Sequence, residues 1–180
     1  SYRQMVCDYF AAVSGLDENF GRLIACLKQN GVYDDTIIVL SADHGDMMGA
    51  HGLLAKHVWY EESIGVPFII RYGSHLRQGT EHAVINTPDI LPTLLSLADL
   101  PVPQGAQGQD FSGLMRGVLA PPVTDALTQG MPGSAQDVHR LESMGINPRS
   151  MGWRALRTQR YSYVEEKGFA RSARTRAMLY

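Results

Sequence analysis

The sequence predicts an α/β fold in which helices cover a sheet and a small antiparallel β piece follows. Three observations predict it. A long stretch from Tyr2 to Asn30 carries apolar residues at helical spacing. Two β-branched apolar runs follow it, at Thr36–Ser41 and Val66–Arg71. Toward the end, Trp153–Thr158 and Tyr161–Val164 alternate with a period of two.

In the first stretch Met5, Tyr9, Ala12, Val13, Leu16, Phe20, Leu23, Ile24 and Leu27 recur every three or four residues, the signature of one buried helix face. Gly15 weakens the helix locally, and Gly31 stands where a left-handed cap ends it. Cys7 and Cys26, the only cysteines, lack metal-ligand or redox spacing and read as small buried apolar side chains on this helix. Thr36–Ser41, apolar on both faces, reads as a central strand covered on both sides. Helix, turn and strand together make an α/β unit. The second run tolerates Pro67 because it lies at the strand's start.

His82–Asn86 reads as a third, shorter strand. Thr87 is then the expected N-cap of a helix with Pro88 at its first position, running to about Asp99 with Pro92 constraining its early turns. From Pro101 to Pro148 Gly, Pro, Gln and Ser dominate, which predicts loop-rich surface with short helical turns, some of it lining a cleft. The closing alternation predicts two antiparallel strands with one buried face. This divides the chain into 1–100, an α/β portion; 101–148, a loop-rich connection; and 149–180, the start of an antiparallel subdomain.

Composition narrows the partners. The chain has 180 residues, 44% hydrophobic and 19% charged, with a formal net charge of −2. Arg171, Arg174 and Arg176 form the one basic cluster and read as a solvated hairpin or tail, so no nucleic-acid partner is expected. No apolar run approaches the ~20 residues that span a bilayer, and no membrane partner is expected. The cysteines leave the compartment open.

Chemistry concentrates in Ser41-Ala42-Asp43-His44-Gly45-Asp46, directly after the first strand. Ligands of open α/β sheets gather at the carboxyl ends of strands. Asp43 offers a hard carboxylate oxygen and His44 an imidazole nitrogen, and Gly45 permits a sharp turn that aims both at one centre. Two donors do not hold Ca²⁺ or Mg²⁺ alone, since about six are needed. A strand-end turn closed by an Asx hydrogen bond fits these residues equally well.

The continuation is Gly49-Ala50-His51-Gly52-Leu53-Leu54-Ala55-Lys56-His57-Val58-Trp59-Tyr60-Glu61-Glu62-Ser63, then Val66-Pro67. In order and spacing these residues resemble the sulfatase family of the alkaline phosphatase superfamily. That family pairs a strand ending in Ser-Asp-His/Asn-Gly with a Gly-x-His-Gly loop, a lysine, Tyr-Glu-Glu-Ser and a Val-Pro strand start. The likeness extends to Asp17–Leu23, Thr87–Leu95, Gln107-Gly108, Arg154–Thr158 and Tyr161–Tyr163. It implies part of an alkaline-phosphatase-like sheet covered by helices.

The resemblance assigns roles. It makes Asp43 and His44 two ligands of a divalent metal, Ca²⁺ first with Mg²⁺ and Mn²⁺ open, the other ligands coming from a preceding segment. It makes Lys56 the catalytic cation that holds a sulfate oxygen and stabilises the departing ester oxygen. His51 and His57 flank Lys56 and are candidates for substrate contact, although packing suits each at least as well. Tyr60 and Glu61 read as orienting or scaffold residues, and Asp46 as a solvated loop carboxylate, with support of the metal ligands as its alternative.

The family's nucleophile is a formylglycine made in a Cys/Ser-x-Pro-x-Arg motif. Neither Cys7, followed by Asp8-Tyr9-Phe10-Ala11, nor Cys26, followed by Leu27-Lys28-Gln29-Asn30, lies in one. The nucleophile is therefore expected in a segment preceding Ser1, and the isolated chain is expected to be inactive. An acidic segment normally follows the stretch resembling Met178-Leu179-Tyr180, so truncation is expected there too. Self-association through surface so exposed is a further expectation.

The expected partner is a sulfate-ester small molecule or carbohydrate. Phosphate mono- or diesters and phosphonate esters fit the same tetrahedral-anion chemistry. A non-catalytic anion-binding fragment is the alternative from another class.

Overall fold

A computed structural model describes residues 1–120, 125–131, 134–167 and 175–180. The long N-terminal helix α1 spans Tyr2–Gln29. The Ser1 hydroxyl accepts the Gln4 amide at 3.4 Å, Asn30 caps the other end, and Gly31 follows with φ 67°. The expected burial of its apolar face is not found. No α1 residue is buried, and Phe10 and Leu16 are 64% and 69% exposed. Cys7 and Cys26 are exposed with the rest, which corrects their reading as core. The periodicity identifies a face that can be buried, and among the described residues little packs on it beyond the contact of Tyr2 with Met48 and Gly49.

Strand β1 (Ile38–Ser41) pairs antiparallel with β2 (Phe68–Arg71), Ile38 opposite Arg71 and Ser41 opposite Phe68. Together they form a two-stranded sheet, not the centre of a sheet covered on both sides, and Ile69 is 60% exposed. Between them lies a short helix, α2 (Glu61–Ile64). Residues 82–86 form no strand, because no ladder partner stands beside them among the described residues.

Helix α3 runs from Thr87 to Leu97, and its N-cap is Asn86, one residue before the expected Thr87. Asn86 and Asp89 form a reciprocal capping box: the Asn86 side chain accepts the Thr87 amide at 2.8 Å, and Asp89 accepts the Asn86 amide at 2.7 Å. Pro92 stays inside the helix, where it cannot donate to the carbonyl four residues earlier, that of Pro88. Gly108 packs against that carbonyl so closely that a Cβ would stand 2.0 Å from its oxygen. The 109–111 segment is laced to α3 by the Gln109 amide on Asp89 and the Phe111 amide on Thr93.

The 101–148 stretch holds more regular structure than its composition suggests. It contains α4 (Ser112–Met115), β3 (Ala126–Gly130) and α5 (Ala135–Ser143). Ser134 caps α5 by accepting the Asp137 amide. β3, Ala-Leu-Thr-Gln-Gly, has little intrinsic strand preference and forms on the ladder offered by β4 (Gly152–Arg157). β5 (Ser162–Lys167) and β6 (Arg176–Leu179) complete a four-stranded antiparallel sheet in the order β3-β4-β5-β6. Of the basic cluster, Arg176 is exposed on β6, while Arg171 and Arg174 lie outside the described residues.

The principal core cluster lies under this sheet. Trp153, Ala155 and Val164 are buried, and Trp59, Ile64 and Met178 pack against them. The period-two alternation of β4 thus aims its inner face at residues 59–64, the segment that follows the candidate lysine. Among the described residues no helix is long and apolar enough to cross a membrane.

Candidate active site

The β1 strand ends at Ser41 and delivers Asp43 and His44 to one point. Asp43 Oδ1 accepts the His44 amide at 3.0 Å, and its Oδ2 lies 3.3 Å from His44 Nε2. His44 Nδ1 is 2.8 Å from the Gly45 carbonyl oxygen. A carbonyl only accepts, so in the neutral ring Nδ1–H donates to it and the lone pair falls on Nε2, facing the carboxylate. Such outer hydrogen bonding fixes the ring nitrogen of histidines that ligate metals. One exposed carboxylate and one oriented imidazole fit two positions of a divalent-ion ligand set. Among the described residues no third His, Cys, Asp or Glu joins them.

Gly45 works by close approach. Its φ is not positive; instead a Cβ there would stand 2.0 Å from the Glu62 carbonyl oxygen. Its amide donates to the Ser63 carbonyl at 2.9 Å, binding the Asp43–His44 turn to the buried Ser63 of α2.

The loop 48–57 is strained. Met48, His51, Ala55 and His57 have positive φ between 46° and 81°, and Gly49 and Gly52 are positive too, at 93° and 73°. Each such non-glycine residue costs roughly 1–3 kcal/mol and persists only where its surroundings over-determine it. The restraints are visible. Met47, 1% exposed, donates its amide to the Ala55 carbonyl at 2.7 Å, and the Gly49 amide reaches Leu53 at 2.8 Å. Asp46 Oδ1 accepts the Met48 amide at 2.9 Å, so this carboxylate, expected to be merely solvated, holds the loop. Lys56 sits between Ala55 (φ 64°) and His57 (φ 81°). It is half-buried, and among the described residues it has no carboxylate partner.

His51 stacks on the Tyr60 ring, centroids 3.9 Å apart and planes within 8°, with Nε2 3.9 Å from Glu62 Oε1. The exposed His57 contributes its carbonyl, which accepts the Trp153 indole N–H at 2.9 Å. Glu61 pairs with Arg157 at 3.3 Å and ties α2 to β4. A cleft of about 380 Å³ opens beside these residues, between His51, Trp59, Tyr60, Arg157, Arg160 and Tyr180. Burial pushes the Tyr60 hydroxyl above its ordinary range, helped by its hydrogen bond with Tyr180 and by the nearby Glu166 and Glu62. The structure thus joins Asp43 to His44 and ties the Lys56 loop to Met47. Sequence reasoning missed Trp153, whose aromatic residue within an alternating strand was the only signal.

The sulfatase family profile matches residues 1–100, and the chain belongs to that family. It is 37% identical over 166 residues to an ulvan-active sulfatase of Formosa agariphila, a match covering 90% of this chain and 30% of that protein. A structure solved with its substrate D-glucosamine-2-N,6-O-disulfate superposes with TM-score 0.71 at 26% identity, covering 93% of this chain and 32% of the other. The phosphonate monoester hydrolase of Silicibacter pomeroyi gives TM-score 0.73 at 29% identity, covering 91% and 32%. The chain therefore spans about a third of the length of its relatives, and its neighbours share an alkaline-phosphatase-like fold.

Proposed function

We propose that this chain is the lysine-bearing portion of a metal-dependent hydrolase of sulfate esters borne on carbohydrates. The observation that carries the reading is Lys56: a half-buried lysine without a carboxylate partner among the described residues, on a strained loop tied through Met47 to the Asp43–His44 turn. An ammonium without a carboxylate partner keeps its donors open to an anionic ligand. A compact ammonium has three donors for the oxygens of a tetrahedral group.

In this reading Asp43 and His44 hold one side of the ion, and Lys56 binds a non-bridging sulfate oxygen and stabilises charge as the ester oxygen departs. A divalent ion, Ca²⁺ by preference with Mg²⁺ or Mn²⁺ as alternatives, polarises the ester when bound. His51, held by Tyr60 and Glu62, faces the cleft and is placed to contact the sugar, whereas His57 serves through its backbone. Carbohydrate is favoured as the carrier because relatives act on ulvan and on a disulfated glucosamine. The chain contains no Cys/Ser-x-Pro-x-Arg motif, so a formylglycine nucleophile has to come from outside these residues and the 180-residue chain alone is expected not to turn over.

A second reading has an observation of its own. The likeness to a phosphonate monoester hydrolase is as good in shape, and the same cation suits a phosphonate oxygen. Initial rates on 4-nitrophenyl sulfate and on 4-nitrophenyl phenylphosphonate, with the natural full-length protein, decide between them. The sulfate should be preferred, and Lys56→Ala should lower its kcat/KM about 10²–10³-fold. Preference for the phosphonate moves the protein to the second reading. Indifference of both rates to Lys56→Ala removes the lysine's proposed role.

A further inference from the structure

Lys56 is held from both sides through the carbonyls of its neighbours. On one side the Ala55 carbonyl accepts the Met47 amide at 2.7 Å. On the other the His57 carbonyl accepts the Trp153 indole N–H at 2.9 Å, a bond spanning 96 residues from the catalytic loop to the C-terminal sheet. Both neighbours are non-glycine residues at positive φ, a conformation that reverts unless restrained. Trp153 is itself fixed. It is 8% exposed, meets Trp59 edge-on with ring centroids 6.2 Å apart, and lies against Gly130, where a Cβ would stand 2.3 Å from its indole nitrogen. The glycine opposite leaves the indole N–H side room to sit where His57 needs its donor.

We infer that Trp153 is a positioning residue: its indole N–H locks the His57 peptide and so aims the Lys56 ammonium at the substrate anion. The inference rests on the proposed role of Lys56, and it makes β4 part of the active-site machinery. Its electrostatic logic is that a donor to a developing charge is effective only when held in place before the reaction.

The test replaces Trp153 by Phe, which keeps an aromatic ring in the core and removes the donor. Val164→Ala is the control, because Val164 is fully buried in the same cluster and touches no catalytic-loop carbonyl. In the natural full-length protein, Trp153→Phe should lower kcat for 4-nitrophenyl sulfate about 10- to 100-fold with KM little changed, and Val164→Ala should not. In the same variants, hydrogen exchange of the Met47 and Gly49 amides, whose acceptors are Ala55 and Leu53 on the lysine loop, should quicken for Trp153→Phe beyond the effect of Val164→Ala. Equal effects of the two variants on exchange, or a rise in KM alone, would overturn the inference. Lys56→Ala separates the layers: if it leaves kcat intact, the lysine's role fails, while the exchange comparison still decides whether Trp153 holds the loop.

Discussion

Gly45 shows how much one missing methyl group decides here. The Asp43–His44 turn and α2 approach so closely at this point that a Cβ would overlap the Glu62 carbonyl. Gly45→Ala therefore has to push the turn away from Ser63, stretching the 2.9 Å amide bond and moving His44 with it. Overpacking of this kind costs typically 1–3 kcal/mol, so chemical denaturation of the variant should show a loss of about that size. Divalent-ion affinity in the natural full-length protein should fall too, since His44 Nδ1 takes its orientation from the Gly45 carbonyl. A variant of unchanged stability and affinity would show that the turn has slack. At this scale the sequence was partly readable. Asp43 and His44 were legible as a pair at a strand's end, where an Asx turn fitted equally well, and Lys56 was singled out only by the family resemblance. The reason for Gly45 was not legible, because it lies in an approach between segments rather than in a local turn. Trp153 was hidden for the same reason, its partner being 96 residues away.

Among the elements, short helices owe their boundaries to side chains that one residue's shift would misplace. Asn86 rather than Thr87 caps α3, and a Thr-Pro pair preceded by Asn gives both residues a claim until Asp89 closes the box. α5 and β3 escaped notice because Gly, Pro and Ser mask a short amphipathic helix and because β3 is made by its neighbour's ladder. At the start of α4 sits Asp110, with a consequence for acid stability. Burial by itself would raise its carboxyl pKa, but hydrogen bonds from Ser96 and Ser112 and the positive charge of Arg116 outweigh that and hold it below the ordinary value. A carboxylate with a depressed folded-state pKa binds its proton less readily when folded than when unfolded. Its stabilising contribution is thus complete above the unfolded value of about 3.9 and lost as pH falls through the lower folded value. The denaturation midpoint should decline as pH drops below about 4, and Asp110→Asn should flatten that part of the curve by lowering its upper end. An identical decline in the variant would assign the acid sensitivity to other carboxylates.

For the molecule as a whole, the exposed face of α1 is the dominant fact. Tyr9, Val13, Leu16 and Leu23 lie along one stripe at three-and-four spacing with Phe10 beside it, each between 45% and 69% exposed. Periodicity announces that a helix face is fit for burial and says nothing of what buries it; that is why α1 was readable as a helix and misread as core. Relatives run to about three times this chain's length. Left to itself, the 180-residue chain presents a contiguous apolar stripe of the kind monomers rarely leave in water. We therefore expect this chain alone to self-associate through α1. Sedimentation velocity across a concentration series should show mass rising with concentration. Phe10→Glu with Leu16→Glu should return the chain to a monomer at little cost in stability, since neither side chain is buried. Association that persists in the double variant would place the contact elsewhere, with the exposed Ile69 of the two-stranded β1–β2 sheet as the next surface to substitute.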